Sequence, residues 1–293
     1  MAVLRFDAIG TAWTIELPED SAVDLGALDA RITARIDAFD RAYSRFRADS
    51  LVSQMAREAG SYTLPEDAPP LLDLYAALYG ATEGRLTPLI GQAVADAGYD
   101  AAYSFVPGAP STPPRWEEVL QHEGRSITLR APALLDFGAA GKGYLVDLIA
   151  GLLEAEGITT YVVDAGGDMR VRAPAPLPIA LENPLDPTTA IGVATLASGS
   201  ICGSSGNRRT WGKYHHTLDP YTLESPRHVL ATWVVAETAL VADAMATALY
   251  FAPAEALQAV APFAYLKLMP DYAIERSHDF PAELFITTEY EKN

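Results

Sequence analysis

The sequence predicts a protein that mixes helices and β-strands around one central segment, residues 136–168. In that segment a glycine-rich loop, residues 138–143, leads into four leucine and isoleucine residues at helical spacing: Leu145, Ile149, Leu152 and Leu153. Gly157 is placed to end this helix, and strand-forming residues follow it. Before it lie an alternating, β-rich stretch at residues 3–17 and a helical pattern at residues 25–46.

The other elements follow from local patterns in chain order. Gly10 divides residues 3–17 into a strand pair or a bulged strand, and Pro69-Pro70 begin a helix over residues 68–82 that ends at Gly84. Further helical patterns occupy residues 116–121, 238–250 and 254–260. Strand patterns occupy residues 126–129, 169–172, 179–182, 192–197, 231–235, 264–268 and 280–287. Proline-rich stretches at residues 106–114 and 173–178 predict surface loops.

Composition excludes some classes of protein. The chain has 293 residues, 49% hydrophobic and 20% charged, which is typical of a globular protein with one large or two modest domains. Its 21 Lys+Arg against 38 Asp+Glu give a net charge of −17. This charge argues against nucleic acid or an anionic membrane surface as the main partner.

The single cysteine, Cys202, cannot form an internal disulfide and is expected to be a small core residue. No signal peptide is expected at the N-terminus as written, because no basic segment precedes an apolar run. No apolar stretch has the length of a transmembrane segment. The expected location is cytoplasmic; the alternative is a mature exported, periplasmic form from which a leader was removed.

The glycine-rich loop before the central helix suits a phosphate, because the helix N-terminus offers N–H donors and a partial positive charge beside Lys142. It is not a Walker loop, since Gly143 follows Lys142 where Ser or Thr is needed. Nor do its glycines have the spacing of the dinucleotide fingerprint. A tight strand-to-helix turn with a solvated lysine is the alternative.

Residues 199–216 concentrate five basic or imidazole side chains: Arg208, Arg209, Lys213, His215 and His216. In so acidic a chain this cluster predicts an anionic ligand, with a solvated hairpin as the alternative. Adjacent histidines on a strand point to opposite faces, so His215 and His216 make a poor zinc pair.

The predicted helix at residues 238–250 is apolar nearly all round, yet it contains Asp243 and, one turn later, Thr247. A buried carboxylate is unfavourable unless it is paired or binds a metal. A carboxylate and a hydroxyl are oxygen ligands, which favour Mg²⁺. Alternatively, a lysine or backbone donors satisfy Asp243.

Taken together, these segments resemble the ApbE family of FAD:protein FMN transferases from about Ile9 to about Phe280. Six motifs carry the resemblance in order: Gly10-Thr11-Ala12-Trp13; residues 46–50 (FRADS); residues 136–147 (DFGAAGKGYLVD); Gly166-Gly167-Asp168 with the later Ser205-Gly206; residues 216–220 (HTLDP); and residues 242–247 (ADAMAT).

The resemblance implies one ApbE-like domain over residues 1–293, with an α+β fold whose two α/β halves enclose the flavin site in the cleft between them. It implies Mg²⁺ held by the Ala139 carbonyl, Asp243 and Thr247. It also implies a set of FAD-contacting residues: Ile9, Phe46, Arg85, Leu86, Thr87, Asp136, Lys142 and Thr217.

The activity implied is Mg²⁺-dependent transfer of FMN from FAD to a Thr or Ser hydroxyl of an acceptor protein, with release of AMP. His216 is the expected base by its titration range, and Asp243 is second. The alternatives are an FAD pyrophosphatase, in which water replaces the hydroxyl, and a non-catalytic FAD-binding protein.

Four positions depart from the family pattern. Phe46 and Thr87 stand where Tyr and Asp are usual, and Ala246 replaces an acid that is sometimes present. Thr222-Leu223 replaces Thr-Gly after Asp-Pro, so the turn there is expected to be built without a glycine conformation.

Overall fold

The protein, seen as a computed structural model, is described over residues 2–19, 23–207 and 209–285. The described residues form fourteen strands: β1 Ala2–Ala8, β2 Thr11–Leu17, β3 Gly60–Thr63, β4 Leu120–Glu123, β5 Ser126–Leu129, β6 Tyr161–Asp164, β7 Met169–Asn183, β8 Asp186–Ser205, β9 Thr210–Trp211, β10 Tyr214–His215, β11 Ala231–Ala236, β12 Ala264–Leu268, β13 Ile274–Arg276 and β14 Ala282–Leu284.

They also form eight α-helices: α1 Leu25–Tyr43, α2 Leu51–Met55, α3 Pro69–Ala81, α4 Gly91–Asp96, α5 Trp116–Val119, α6 Gly141–Ala155, α7 Ala239–Ala248 and α8 Ala254–Gln258. A 3-10 helix, Pro88–Ile90, precedes α4. Both element types are abundant and the sheets are antiparallel, so the α+β expectation is confirmed. Across the described residues, none of the helices has the length and apolar character needed to cross a bilayer.

The main sheet has nine strands in the order β1-β2-β6-β7-β8-β11-β12-β13, and β14 pairs with β8. Successive residues alternate between its faces. In β6, Val163 packs with the helices while Val162 belongs to a second core on the opposite face. In β8, Cys202 packs on the helical side and is fully buried, which confirms the prediction of a core cysteine.

The central segment folds as predicted. Helix α6 buries Leu145, Ile149 and Leu153 completely against the helical-side core. Gly157 follows the helix with φ +79, the left-handed conformation that favours glycine at a helix end. The glycine-rich loop before α6 is therefore anchored to one of the most buried helices of the protein.

The N-terminal strand pair turns at Ile9-Gly10, with φ values of +42 and +77. Ala8 pairs with Thr11, so the loop has two residues, and such hairpins favour positive φ at both positions. Glycine adopts this conformation freely, whereas a β-branched residue such as Ile9 is strained in it.

The proline-rich residues 173–178 are not the predicted surface loop but part of β7. The pairing of β7 with β8 is irregular between Arg172 and Leu177, where Pro174 and Pro176 lie. Proline has no N–H for a ladder but keeps an extended backbone, so the strand continues through an interruption in pairing. Strands β3, β4 and β13 and helix α4 were not predicted, and residues 286–287 of the last predicted strand lie outside the described residues.

Candidate active site

A cavity of about 870 Å³ is bordered by every site residue that the sequence predicted: Ile9, Phe46, Arg85, Leu86, Thr87, Asp136, Ala139, Lys142, His216, Thr217, Asp243 and Thr247. Some of the bordering residues come from helix ends and loops of residues 39–47, 85–90 and 136–142. Others come from strands β7, β8 and β11, including Leu181, Ile201 and Trp233. The structure thus brings the predicted residues together, while their roles stay predictions.

Helices α6 and α7 meet at Gly143. A Cβ at this position would lie 2.1 Å from the Ala239 carbonyl oxygen and 2.6 Å from the Asp243 Cβ. The absence of a side chain lets the Gly143 N–H donate a 2.8 Å hydrogen bond to Asp243 Oδ2. The sequence left open that backbone donors satisfy Asp243, and the structure shows one such donor, bound to one oxygen of the carboxylate.

The same two helices are joined by a second carboxylate. Asp147 of α6 accepts hydrogen bonds from the Ala239 and Leu240 N–H groups at 3.0 and 2.8 Å, at the start of α7. Each helix thus carries an acid that binds N–H groups in the first turn of the other, where the helix dipole stabilises negative charge. For α6 this means that one of the N–H donors expected to face a phosphate is taken by Asp243.

Lys142 forms an ion pair with Asp168, Nζ to Oδ2 at 2.9 Å. Burial alone would lower the pKa of Lys142, but the Asp168 and Asp243 carboxylates outweigh it and raise the pKa. Lys142 is therefore charged at neutral pH. No role in the site was predicted for Asp168, although it belongs to the matched Gly166-Gly167-Asp168 motif. Gly166 and Gly167 border the cavity.

Asp243 is 7% exposed, and burial followed by the neighbouring Asp168 charge raises its pKa. Lys142 and the Gly143 N–H oppose this rise. The ionised carboxylate is thus only partly stabilised by protein groups, and a cation beside it would stabilise it further.

The oxygen atoms available around Asp243 are suitable ligands for a hard divalent cation. They are the Asp243 carboxylate, the Thr247 hydroxyl and the Ala139 carbonyl, and all three residues border the cavity. The described residues hold no cluster of three or more His, Cys, Asp or Glu side chains arranged for a metal. Hydroxyl and backbone oxygens would therefore complete the site, as Ala139 and Thr247 allow.

Arg45 borders the cavity, although the sequence did not predict it as a site residue. It is 6% exposed, and its Nε donates to Asp136 Oδ2 at 2.6 Å while Nη1 donates to the Tyr99 carbonyl at 2.6 Å. Asp136 also accepts the Gly138 N–H, so this pair holds the start of the glycine-rich loop. Arg45 directly precedes the motif of residues 46–50, but the pattern of neighbouring residues does not indicate that its side chain is buried.

Aromatic rings form the wall around Phe46. The Tyr103 ring stacks on Phe46 at 4.8 Å between centroids, and Tyr99 lies 5.3 Å away. Tyr103 and Phe105 have φ values of +52 and +49, which are unusual for aromatic residues. This wall offers flat apolar surfaces against which a ring system can pack.

His216 borders the cavity, and its Nδ1 is buried with no hydrogen-bond partner among the described residues. Burial, together with the nearby positive charges, lowers its pKa to about 3. The ordinary titration range that selected His216 as a base therefore does not apply in this structure. Its neighbour His215 turns away, since Nε2 donates to the Pro226 carbonyl and Nδ1 accepts the Thr217 N–H.

The basic cluster of residues 199–216 disperses in space. Arg209 borders the cavity, Lys213 is exposed outside it, and Arg208 lies outside the described residues. The cluster is thus not one anion site, although Arg209 and His216 share the cavity.

Three other predicted contacts are held by local interactions. Arg85 pairs with Asp219 at 3.3 Å, which fixes the Asp-Pro turn beside the cavity. The Thr87 hydroxyl accepts the Leu89 N–H and begins the 3-10 helix. Leu86, buried at 3% exposure, packs in the main core next to them.

The turn after Asp219 corrects one expectation. Leu223 has φ +56, so the chain keeps the conformation that a glycine would favour and does not build the turn differently. Its N–H donates to the Asp219 carbonyl at 2.9 Å. A non-glycine residue pays for this conformation with steric strain.

The chain is similar to known proteins along most of its length. The chain is 27% identical to the FAD:protein FMN transferase of Klebsiella pneumoniae (strain 342), over 88% of this chain and 80% of that protein. It is 26% identical to the protein of the same name from Escherichia coli (strain K12), over 85% and 78%.

Two solved structures share the fold. The ApbE protein of Thermotoga maritima has a TM-score of 0.81 at 22% identity, covering 96% of this chain and 99% of that one. The flavin transferase ApbE of Vibrio cholerae has a TM-score of 0.77 at 22% identity, covering 94% and 96%. The sequence profile of the ApbE family matches residues 9–266, and the chain belongs to that family.

Proposed function

We propose that this protein is an FAD:protein FMN transferase, which moves FMN from FAD to a Thr or Ser hydroxyl of an acceptor protein. One observation carries the proposal: a single cavity gathers Lys142, Asp243 and Thr247 with the aromatic wall around Phe46 in a member of the ApbE family. A cavity of about 870 Å³ is within the usual range for a cofactor-sized ligand.

In the proposed reaction the acceptor hydroxyl oxygen forms a bond to the phosphorus of the FMN phosphate. The bond from that phosphorus to the bridging oxygen breaks, and AMP leaves with the electron pair. Lys142, held by Asp168, stabilises the negative charge that develops on the pyrophosphate. The hydroxyl gives its proton to a base.

His216 remains the first candidate for that base, with Asp243 second. In the free protein a pKa of about 3 makes His216 a weak base. An anionic pyrophosphate would offset the positive charge of Lys142, one of the groups that lower this pKa. We therefore expect His216 to be a stronger base in the substrate complex than in the free protein.

Mg²⁺ would be held by the Ala139 carbonyl, Asp243 and Thr247. When bound, it would neutralise pyrophosphate charge and orient the phosphate oxygens.

The test is incubation of the protein with FAD, with and without Mg²⁺ and an acceptor protein, followed by nucleotide chromatography and detection of flavin-labelled acceptor. We expect AMP and labelled acceptor in equal amounts, reduced at least a hundredfold in Asp243→Asn. Asp186→Asn, which changes an exposed acid that does not border the cavity, is the control and should behave as wild type. AMP with free FMN would instead indicate a pyrophosphatase, and unchanged bound FAD a non-catalytic flavin-binding protein.

A further inference from the structure

Arg209 lies at the edge of the cavity, between two segments that are distant in sequence. Its Nη1 donates to the Tyr99 hydroxyl at 2.8 Å, and its Nη2 donates to the Gly10 carbonyl at 3.2 Å. Both partners are neutral oxygens, so they orient the guanidinium without neutralising it. Since a guanidinium has five N–H donors, others remain for a further partner.

The charge of Arg209 distinguishes it from the other cations around the cavity. Arg45 pairs with Asp136, Arg85 with Asp219 and Lys142 with Asp168. Within residues 2–19, 23–207 and 209–285, Arg209 has no carboxylate within ion-pair distance. An oriented, unneutralised guanidinium beside a cavity is a typical binding group for a phosphate or carboxylate.

Arg209 and Lys142 both border the cavity, as His216 does, and both positive charges act on His216. An anion bound near His216 would therefore be attracted by both charges.

We infer that Arg209 binds a phosphate group of the substrate, as a second cation beside Lys142. The assignment rests on the proposed function, because FAD supplies the phosphate. Either the flavin-side or the adenosine-side phosphate has the required chemistry. Nothing in the sequence alone separated Arg209 from its neighbours in the basic cluster.

The test compares ligands that differ in their phosphate. Dissociation constants of riboflavin, FMN, AMP and FAD are measured by calorimetry for wild type and Arg209→Gln. We expect Arg209→Gln to weaken FAD about tenfold or more and to leave riboflavin within twofold of wild type. A matching loss for FMN assigns the flavin-side phosphate, and a matching loss for AMP assigns the adenosine-side phosphate.

Two variants exclude a merely structural effect. Lys213→Gln removes an exposed cation of the same segment that also lacks a carboxylate partner among the described residues, and it should bind every ligand as wild type does. Arg209→Lys keeps the charge and should recover part of the lost FAD affinity.

Equal losses for riboflavin and FAD in Arg209→Gln, or no loss for any phosphate ligand, would overturn the assignment while the transferase activity of the wild type stood. The proposed function fails separately, if wild-type protein neither binds FAD nor labels an acceptor. In that case the phosphate assignment is overturned with it.

Discussion

At the level of single residues, burial changes what His216 can do. A neutral imidazole in a low-dielectric site resists protonation, so its folded-state pKa of about 3 lies far below the ordinary histidine value of about 6.5. Between these values the unfolded chain binds a proton that the folded chain does not. The stability that this difference contributes is full above pH 6.5 and is lost as pH falls towards 3.

We therefore expect the wild-type protein to lose about 1–2 kcal/mol more of its free energy of unfolding than His216→Asn when the pH is lowered from 7.5 to 5. Urea denaturation at the two pH values measures this difference. His278→Asn, which removes an exposed imidazole, is the control. Parallel losses in wild type and His216→Asn would contradict the lowered pKa of His216.

At the level of elements, the contact between α6 and α7 positions the charged centre of the site. Gly143 allows the two backbones to approach, and Asp243 and Asp147 each bind N–H groups of the opposite helix. The close packing of α6 against α7 therefore also sets the position of Asp243, the predicted metal ligand.

Gly143→Ala should consequently lower the free energy of unfolding by about 2–3 kcal/mol, since its methyl group would overlap the Ala239 carbonyl. It should also weaken Mg²⁺-dependent FAD binding by moving Asp243.

Gly151→Ala in the same helix is a matched control, because a Cβ there has no neighbour within 4 Å. This change should raise stability by about 0.5–1 kcal/mol through helix propensity. Thermal and urea unfolding measure both variants. A neutral Gly143→Ala would show that the α6–α7 contact can relax.

At the level of the whole molecule, FAD and Mg²⁺ should bind cooperatively. The predicted protein ligands of the metal include one carboxylate, so Mg²⁺ alone is held weakly, and substrate phosphates would complete its coordination. Free ligand at 100 times its dissociation constant adds about 2.7 kcal/mol to stability. We expect the increase in melting temperature with FAD and Mg²⁺ together to exceed the sum of the separate increases.

Asp243→Asn should abolish the additional increase in melting temperature that Mg²⁺ gives in the presence of FAD, while most of the increase that FAD alone gives should remain. Differential scanning calorimetry of the four combinations tests this. An Mg²⁺ effect of the same size with and without FAD would exclude coupling between the two ligands.

Much of the fold could be predicted because its signals are local. Helical spacing identified α1, α3, α6 and α7 to within a few residues, and the Gly10 break located the first hairpin turn. Residues 173–178 were misassigned because proline favours a loop in a sequence pattern but keeps the extended conformation that β7 requires.

The sequence by itself, through its resemblance to a family, predicted a set of side chains that all border one cavity, although it predicted neither Arg45 nor Arg209 there. Only the tertiary structure decided the hydrogen-bond partners, burial and pKa of these side chains. Asp136 acquires its Arg45 partner across 91 residues and Asp243 its Gly143 donor across 100. The physical reason is that charge, burial and pKa depend on distances through space, whereas sequence periodicity reports only neighbours along the chain.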